Sequence, residues 1–215
     1  AICGGDELDS TSVHRDYDEF TKPLDIEEIK IGVPREYFTH GLNPEIEKNI
    51  KSVISKLEKE GAKIKEVSLP YSDFALATYY IIMPAEVSSN LARFDGMKYG
   101  YSQMSNDKGQ MSKLLDIYLK TRQEGFGSEV RRRIMLGTYI LSAGYYDAYY
   151  KRAQKVRALI KKDFDFAFNN VDVILTPTTP STAFKFGEKT GDPLSMYLAD
   201  IYTVSVNLAG SPAIS

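Results

Sequence analysis

The feature that most constrains this fold is a strand–helix–strand pattern over residues 29–69. A short β-branched run, Ile29–Pro34, predicts a buried strand, and alternation in Ala62–Leu69 predicts a second. Between them, Asn43 and Pro44 are typical of the N-cap and first residue of a helix, which Gly61 ends in a left-handed cap. The helix carries one apolar stripe, made of Ile46, Ile50, Val53, Ile54 and Leu57. The segment therefore predicts a βαβ unit with parallel strands and a right-handed crossover.

Most of the following residues predict helices. A helix over Ser72–Leu91 contains Pro84, which should kink or split it. Shorter helices are predicted over residues 110–123 and 128–136, on either side of a glycine-containing break. A long helix is predicted from about Ser142 to Asn169.

The run VDVILTPTTP, Val171–Pro180, has a nearly continuous apolar and β-branched start that predicts a central parallel strand. The pattern as a whole indicates an α/β fold with a mostly parallel, mixed sheet covered by helices. Residues 1–28 are polar and predict a connector, followed by one folded part over 29–215 that includes a helical segment at about 72–169. Since the chain lacks an initiator Met and ends on an apolar segment, we expect it to be a piece of a longer protein.

Charge and composition argue against several classes of function. A net charge of -2 and a pI near 5.8 give no general positive field that would attract nucleic acid. No run approaches the roughly 18 apolar residues of a membrane span, so no membrane association is expected. The single cysteine, Cys3, indicates a reducing compartment. His14 and His40 lack a second ligand at metal spacing, so no metal site is expected.

No catalytic motif is complete in this chain. It contains neither a G-x-S-x-G elbow nor a Walker motif. The Ser105-x-x-Lys108 match lies in a predicted loop and is interpreted as accidental, while Ser88 and Ser89 are interpreted as helix-packing residues. The break Gly125-Phe126-Gly127 follows no strand and is too short to hold a phosphate. We therefore assign no catalytic residue.

Three arginines, Arg131–Arg133, stand together before a stretch without charge. Successive side chains on a helix point about 100° apart, so at least one arginine should face inward and need a counter-charge. Asp200 is an acid within the apolar segment MYLADIYTV, so it too is expected to need a partner of opposite charge. An arginine and an aspartate opposed across a pocket would hold the carboxylate and ammonium of an amino acid. The alternatives are solvated arginines, ion pairs with Glu124 or Glu129, and a direct Arg–Asp bridge.

Several strings resemble one known family. They include YYIIMPAEVSSNLARFDGMKYG at 79–100, EGFGSEVRRRIMLGTYILSAGYYDAYYKRAQKVR at 124–157, VDVILTPTTPSTAFKFGEK and DPLSMYLADIYTVSVNLAGSPAIS. In this order they resemble the C-terminal portion of the A subunits of aspartyl/glutamyl-tRNA amidotransferases, within the amidase-signature superfamily. The resemblance covers nearly the whole chain from Asp9 onwards.

The resemblance implies glutamine hydrolysis by a triad of Lys, cis-Ser and Ser. That triad lies N-terminal to the region matched here and has no counterpart in this chain, so we expect this chain alone to be inactive. The released ammonia would pass to a B subunit, which uses ATP and Mg²⁺ and holds the mischarged tRNA, while a C subunit stabilises the pair. The product would be Gln-tRNA(Gln) or Asn-tRNA(Asn), made in the cytoplasm.

The resemblance also implies a glutamine pocket in this portion. By motif match, Tyr79 is its tyrosine, with Tyr80 as the alternative; Arg133 is its arginine, with Arg132 as the alternative; and Asp200 is its aspartate. We expect the arginine to bind the α-carboxylate of glutamine and the aspartate its α-ammonium.

Two other functions stay open from the sequence. One is a stand-alone amidase-signature hydrolase of small amides, and the other is a non-catalytic interaction domain. A cluster of tyrosines at helical spacing is interpreted mainly as packing, and the second possibility is that it contacts a partner subunit; it comprises Tyr145, Tyr146, Tyr149 and Tyr150.

Overall fold

The sheet of the protein lies beside a layer of helices. A computed structural model describes residues 5–9, 12–13, 25–38, 41–102, 114–189, 191 and 193–215. In these, three strands, β1 (Lys30–Pro34), β2 (Lys63–Val67) and β3 (Val173–Ile174), form one sheet in the order β2-β1-β3. Both strand pairs are parallel, so the predicted α/β class is confirmed, and no antiparallel pair is seen among the described residues.

The position of the third strand corrects the sequence prediction. The run Val171–Pro180 was predicted to be central, but β1 is the central strand and β3 is a two-residue strand at the edge of the described sheet. Hydrogen bonding to β1 continues only as far as the Leu175 amide, which donates to the Gly32 carbonyl over 2.9 Å. Pro177 then has no N–H to continue the ladder. Gly32 lets the neighbours close in, because a Cβ there would lie 3.0 Å from the Val171 side chain.

Helix α1 (Pro44–Lys59) joins the two strands of the predicted βαβ unit. The Asn43 side chain accepts a hydrogen bond from the Glu45 amide over 2.8 Å, and Gly61 follows the helix with φ +106°. The capping prediction is therefore confirmed. The apolar stripe is only half-buried, with Val53 41% exposed, so α1 covers the sheet less tightly than its pattern predicted.

The other helices are α2 (Ala75–Asn90), α3 (Leu114–Gly125), α4 (Ser128–Leu141), α5 (Lys151–Phe168), α6 (Pro193–Leu198) and α7 (Val204–Ala209). Pro84 lies inside α2 without splitting it. The buried core joins side chains of α2, α5 and α7 with residues near the sheet; its largest members include Tyr37, Leu69, Ile82, Ile160, Phe164, Tyr202 and Leu208.

Helices α2 and α4 approach closely at one glycine. A Cβ on Gly137 would lie 1.9 Å from the Pro84 carbonyl oxygen, a distance at which no side chain fits. This contact sets the spacing of the two helices next to Met83, which precedes Pro84 on α2, and about one turn from Arg133 on α4.

The helix boundaries after residue 128 differ from the prediction. Helix α4 continues to Leu141 instead of ending at 136, and the long helix predicted from Ser142 is divided. Gly144 has φ +88°, a π-helical turn covers Tyr146–Tyr150, and only then does α5 begin. A left-handed residue interrupts an α-helix, which explains the division. Among the described residues, no helix is both long and apolar enough to cross a membrane.

Candidate functional site

Tyr80 lies at the centre of the residues that the sequence singled out. It is half-buried on α2, in edge-to-face contact with Tyr79 at a ring-centroid distance of 5.1 Å. Its ring also contacts Tyr197 on α6, with centroids 4.3 Å apart. The aromatic contacts join α2 to the segment that carries Asp200, three residues beyond Tyr197.

Arg133 is the inward-facing member of the arginine cluster. Its side chain is 30% exposed, against 62% for Arg132, which agrees with the prediction that one of the three turns inward. Its Nε donates a hydrogen bond to Glu129 Oε1 over 2.9 Å, and its Nη1 donates to Met83 Sδ over 3.3 Å. Burial lowers the pKa of Arg133, but the hydrogen bond and charge of Glu129 outweigh this and raise it.

Asp200 carries the opposite charge on the exposed side of the site. Its backbone carbonyl accepts the amides of Thr203 and Val204 over 3.0 and 3.1 Å, at the start of α7. Its carboxylate makes no hydrogen bond or ion pair within the part of the chain that the structure describes. The backbone hydrogen bonds therefore fix the position of Asp200 in the chain, and its side chain is exposed.

Both charges act on the Tyr80 phenol. Burial and the negative charge of Asp200 raise the pKa of Tyr80 to about 12, while the positive charge of Arg133 opposes the shift. Arg133 and Asp200 do not form an ion pair with each other. The structure thus brings Tyr79, Tyr80, Arg133 and Asp200 into one neighbourhood, with the two charges separate instead of bridged.

Of the other two arginines, one is exposed and the other shares the Glu129 carboxylate with Arg133. Arg131 is exposed, and Arg132 Nη1 lies 3.0 Å from Glu129 Oε2. The predicted alternative of an ion pair with Glu129 is therefore confirmed for both Arg132 and Arg133. An arginine four residues after a glutamate is a known helix pairing, so this contact had a signal in the sequence. The Tyr197 contact had none, because it depends on how α6 packs against α2.

The remaining candidate residues either make contacts within the chain or fall outside the described residues. Ser88 is buried and its hydroxyl donates to the Ala85 carbonyl over 2.9 Å, which agrees with the packing interpretation. The tyrosine cluster stacks on itself, with Tyr146 and Tyr150 centroids 5.3 Å apart. The Tyr150 hydroxyl donates to Glu86 over 2.6 Å. A contact between the tyrosine cluster and a partner subunit stays a prediction. The following lie outside the described residues: Cys3, His14, His40, Ser105 and Lys108.

Two cavities, of about 470 and 340 Å³, open beyond the end of β3 and beside α7. Their linings include Thr176, Thr178, Val206 and Ser211, and only one charged side chain, Asp172. A zwitterionic ligand needs both signs of charge, so neither cavity matches an amino acid as well as the Tyr80 neighbourhood does. Within the described ranges, no group of three or more His, Cys, Asp or Glu side chains could hold a metal ion.

The family model described as Amidase matches residues 1–215. The chain belongs to the Amidase family. This amidase-family chain is 57% identical over 216 residues to a protein of Thermodesulfovibrio yellowstonii, and 59% identical over 212 residues to one of Pelagibacter ubique. Both relatives are named as the A subunit of glutamyl-tRNA(Gln) amidotransferase, so the resemblance predicted from the sequence is confirmed.

The alignments cover 100% and 98% of this amidase-family chain but only 43% and 42% of those two relatives. Among solved structures, the A subunit of the glutamyl-tRNA(Gln) amidotransferase of Thermotoga maritima has a TM-score of 0.62 and 38% identity. The match covers 96% of this chain and 39% of that one. A structure described as an amidase has a TM-score of 0.59 at 20% identity, which supports the fold alone.

Proposed function

We propose that this chain is the glutamine-binding part of the A subunit of a tRNA-dependent amidotransferase. The observation that carries the proposal is a pair of opposite charges beside Tyr80. Arg133 and Asp200 both act on its phenol but do not pair with each other. An amino acid presents an α-carboxylate and an α-ammonium on one carbon, and two separate side chains of opposite charge are complementary to it.

Each charge has a distinct task in this proposal. The Arg133 guanidinium donates to the α-carboxylate, since planar N–H donors match the two carboxylate oxygens. The Asp200 carboxylate accepts hydrogen bonds from the α-ammonium. The tyrosine rings, Tyr79, Tyr80 and Tyr197, provide the apolar surface between the charges, against which the side-chain methylenes of glutamine pack.

The rest of the reaction belongs to residues and subunits beyond this chain. The side-chain amide of glutamine is hydrolysed by a nucleophilic serine of the same subunit, with Lys and cis-Ser partners that this chain does not supply. The ammonia serves a B subunit that uses ATP and Mg²⁺ to amidate mischarged Glu-tRNA(Gln) or Asp-tRNA(Asn). A C subunit completes a cytoplasmic assembly. This chain binds no cofactor and alone releases no ammonia from glutamine.

The proposal is tested by steady-state kinetics of the assembled enzyme with Arg133→Met and Asp200→Asn. Each change removes one charged contact to the substrate, which corresponds to at least about 2 kcal/mol, or a roughly 30-fold rise in KM for glutamine. Arg131→Met and Asp165→Asn are matched controls, because both side chains are exposed. Unchanged KM in both Arg133→Met and Asp200→Asn, with folding intact, would refute the assignment of the pocket.

A further inference from the structure

We propose that Glu129 is a positioning residue for substrate binding: it holds the Arg133 guanidinium by Nε and leaves the terminal edge, Nη1 and Nη2, for the α-carboxylate. The inference rests on the proposed function and adds to it a residue that does not touch glutamine. Glu129 lies one helix turn before Arg133, where the sequence pattern indicated only an ion pair without a functional role.

The contacts around Arg133 fix the plane of its guanidinium. Glu129 Oε1 accepts from Nε at 2.9 Å, and the Met83 sulfur accepts from Nη1 at 3.3 Å. The two acceptors come from different helices, α4 and α2, whose spacing is set where Gly137 meets the Pro84 carbonyl. Two anchors on separate helices determine both the position and the rotation of the planar group.

The same contacts determine which edge of the guanidinium is available. A carboxylate binds arginine in pairs of hydrogen bonds, either across Nε and one terminal nitrogen or across the two terminal nitrogens. Glu129 occupies Nε, so the first mode is closed to a substrate. Among the described residues, Nη2 has no hydrogen-bond partner, and sulfur is a weak acceptor for Nη1. The end-on mode is therefore the one left for the α-carboxylate.

The negative charge of Glu129 does not cancel the positive charge that would attract the α-carboxylate. Its carboxylate is divided between two arginines, with Oε2 at 3.0 Å from Arg132 Nη1. Two guanidinium groups and one carboxylate leave a net positive charge. Glu129 also lies in the first turn of α4, where a negative side chain is favourable. A free arginine would lose rotamer entropy on binding a ligand, and prior anchoring reduces this cost.

The test uses the assembled enzyme with Glu129→Ala and Glu129→Gln. We expect Glu129→Ala to raise KM for glutamine about tenfold with kcat within about twofold, because the carboxylate-binding geometry is lost and the chemistry is not. Glu129→Gln keeps an oxygen acceptor for Nε, so it should restore most of the affinity. The matched control is Glu47→Ala, which removes a glutamate from the first turn of α1 and its ion pair to Lys51 at 2.5 Å.

A second substrate separates positioning from a general structural role. 4-Aminobutanamide carries the amide and the ammonium but no α-carboxylate, so Glu129→Ala should leave its kcat/KM within about twofold of wild type. An equal loss for both substrates would overturn the positioning role, as would a wild-type KM for glutamine. If Glu129→Ala does not fold, Glu129→Gln decides. The proposal then requires that Glu129→Gln raises KM for glutamine by less than about tenfold and leaves KM for 4-aminobutanamide unchanged. Loss of affinity in Arg133→Met but not in Glu129→Ala would reject this inference and keep the proposed function.

Discussion

At the residue scale, the charges around Tyr80 give a prediction that does not depend on catalysis. Asp200 raises the pKa of Tyr80 and Arg133 lowers it, so the two neutralising substitutions should shift it in opposite directions. Asp200→Asn should lower the pKa of Tyr80 from about 12 towards the ordinary value near 10, and Arg133→Met should raise it further. NMR titration of tyrosine labelled at Cζ, with Tyr80→Phe to assign the signal, measures the shift. Two shifts of the same sign would show that the charges do not flank this phenol.

A buried hydroxyl pair gives a second prediction at this scale. The Tyr37 hydroxyl is hydrogen-bonded to the hydroxyl of Ser205, a residue that is 0% exposed. Tyr37→Phe and Ser205→Ala should each reduce the free energy of unfolding by about 1–3 kcal/mol, because each leaves the other hydroxyl unsatisfied in the core. Urea unfolding of the two variants and the double variant measures the coupling. Strictly additive losses would mean that the hydroxyls do not depend on each other.

Single residues show what the sequence could and could not predict. The inward orientation of one of the three arginines could be predicted from their spacing on a helix, and the family resemblance selected Arg133. Asp200 was predicted as an acid in an apolar segment needing a partner, yet it is exposed and its backbone carries the local hydrogen bonds. The role of Tyr197 could not be predicted, because it comes from packing between segments more than 100 residues apart.

At the element scale, the contact between α2 and α4 should be sensitive to one methyl group. Gly137→Ala would place Cβ 1.9 Å from the Pro84 carbonyl oxygen and 2.8 Å from Ser88 Cβ, so the helices must separate. We expect a loss of at least about 2 kcal/mol in the free energy of unfolding, as in other overpacked cores. Thermal and urea unfolding of the variant measure it.

Gly127→Ala is the matched control for that change. It adds the same methyl group at the N-cap of α4, where a Cβ would meet nothing within 4 Å. The backbone there is extended, so only a weaker cap, worth about 0.5 kcal/mol, is expected. Equal losses in the two variants would contradict the close contact.

Local signals predicted elements well where caps and turns decide them. Asn43 and Gly61 mark the ends of α1, and Gly125 and Gly127 mark the break between α3 and α4. The place of β3 at the edge of the described sheet could not be predicted, because strand order depends on which strands meet after folding and not on the composition of Val173–Ile174. The assignment of residues 1–28 as a connector stays a prediction.

At the scale of the whole molecule, buried phenols predict the response to alkali. Burial raises the pKa of Tyr37, Tyr80 and Tyr202 above the ordinary value near 10. Below pH 10 these groups are protonated in both states, so the stabilisation is complete there. Above pH 10 the unfolded chain releases protons first, so stability falls as pH rises towards about 12, the pKa of Tyr80.

Urea midpoints measured at pH 9, 10 and 11 should therefore decrease in that order. Tyr80→Phe removes one of the titrating groups and should flatten the decrease without reversing it. A midpoint that is constant or rises over this range would contradict the burial of these phenols.

The central proposal for the whole molecule is that two opposite charges beside Tyr80, which do not pair with each other, hold the α-groups of glutamine. A crystal structure of the assembled enzyme with bound glutamate, the hydrolysis product that keeps both α-groups, tests it most directly. The account predicts the α-carboxylate within about 3.2 Å of Arg133 Nη1 and Nη2, and the α-ammonium at the same distance from the Asp200 carboxylate. Glutamate bound at the catalytic serine with neither side chain in contact would contradict it.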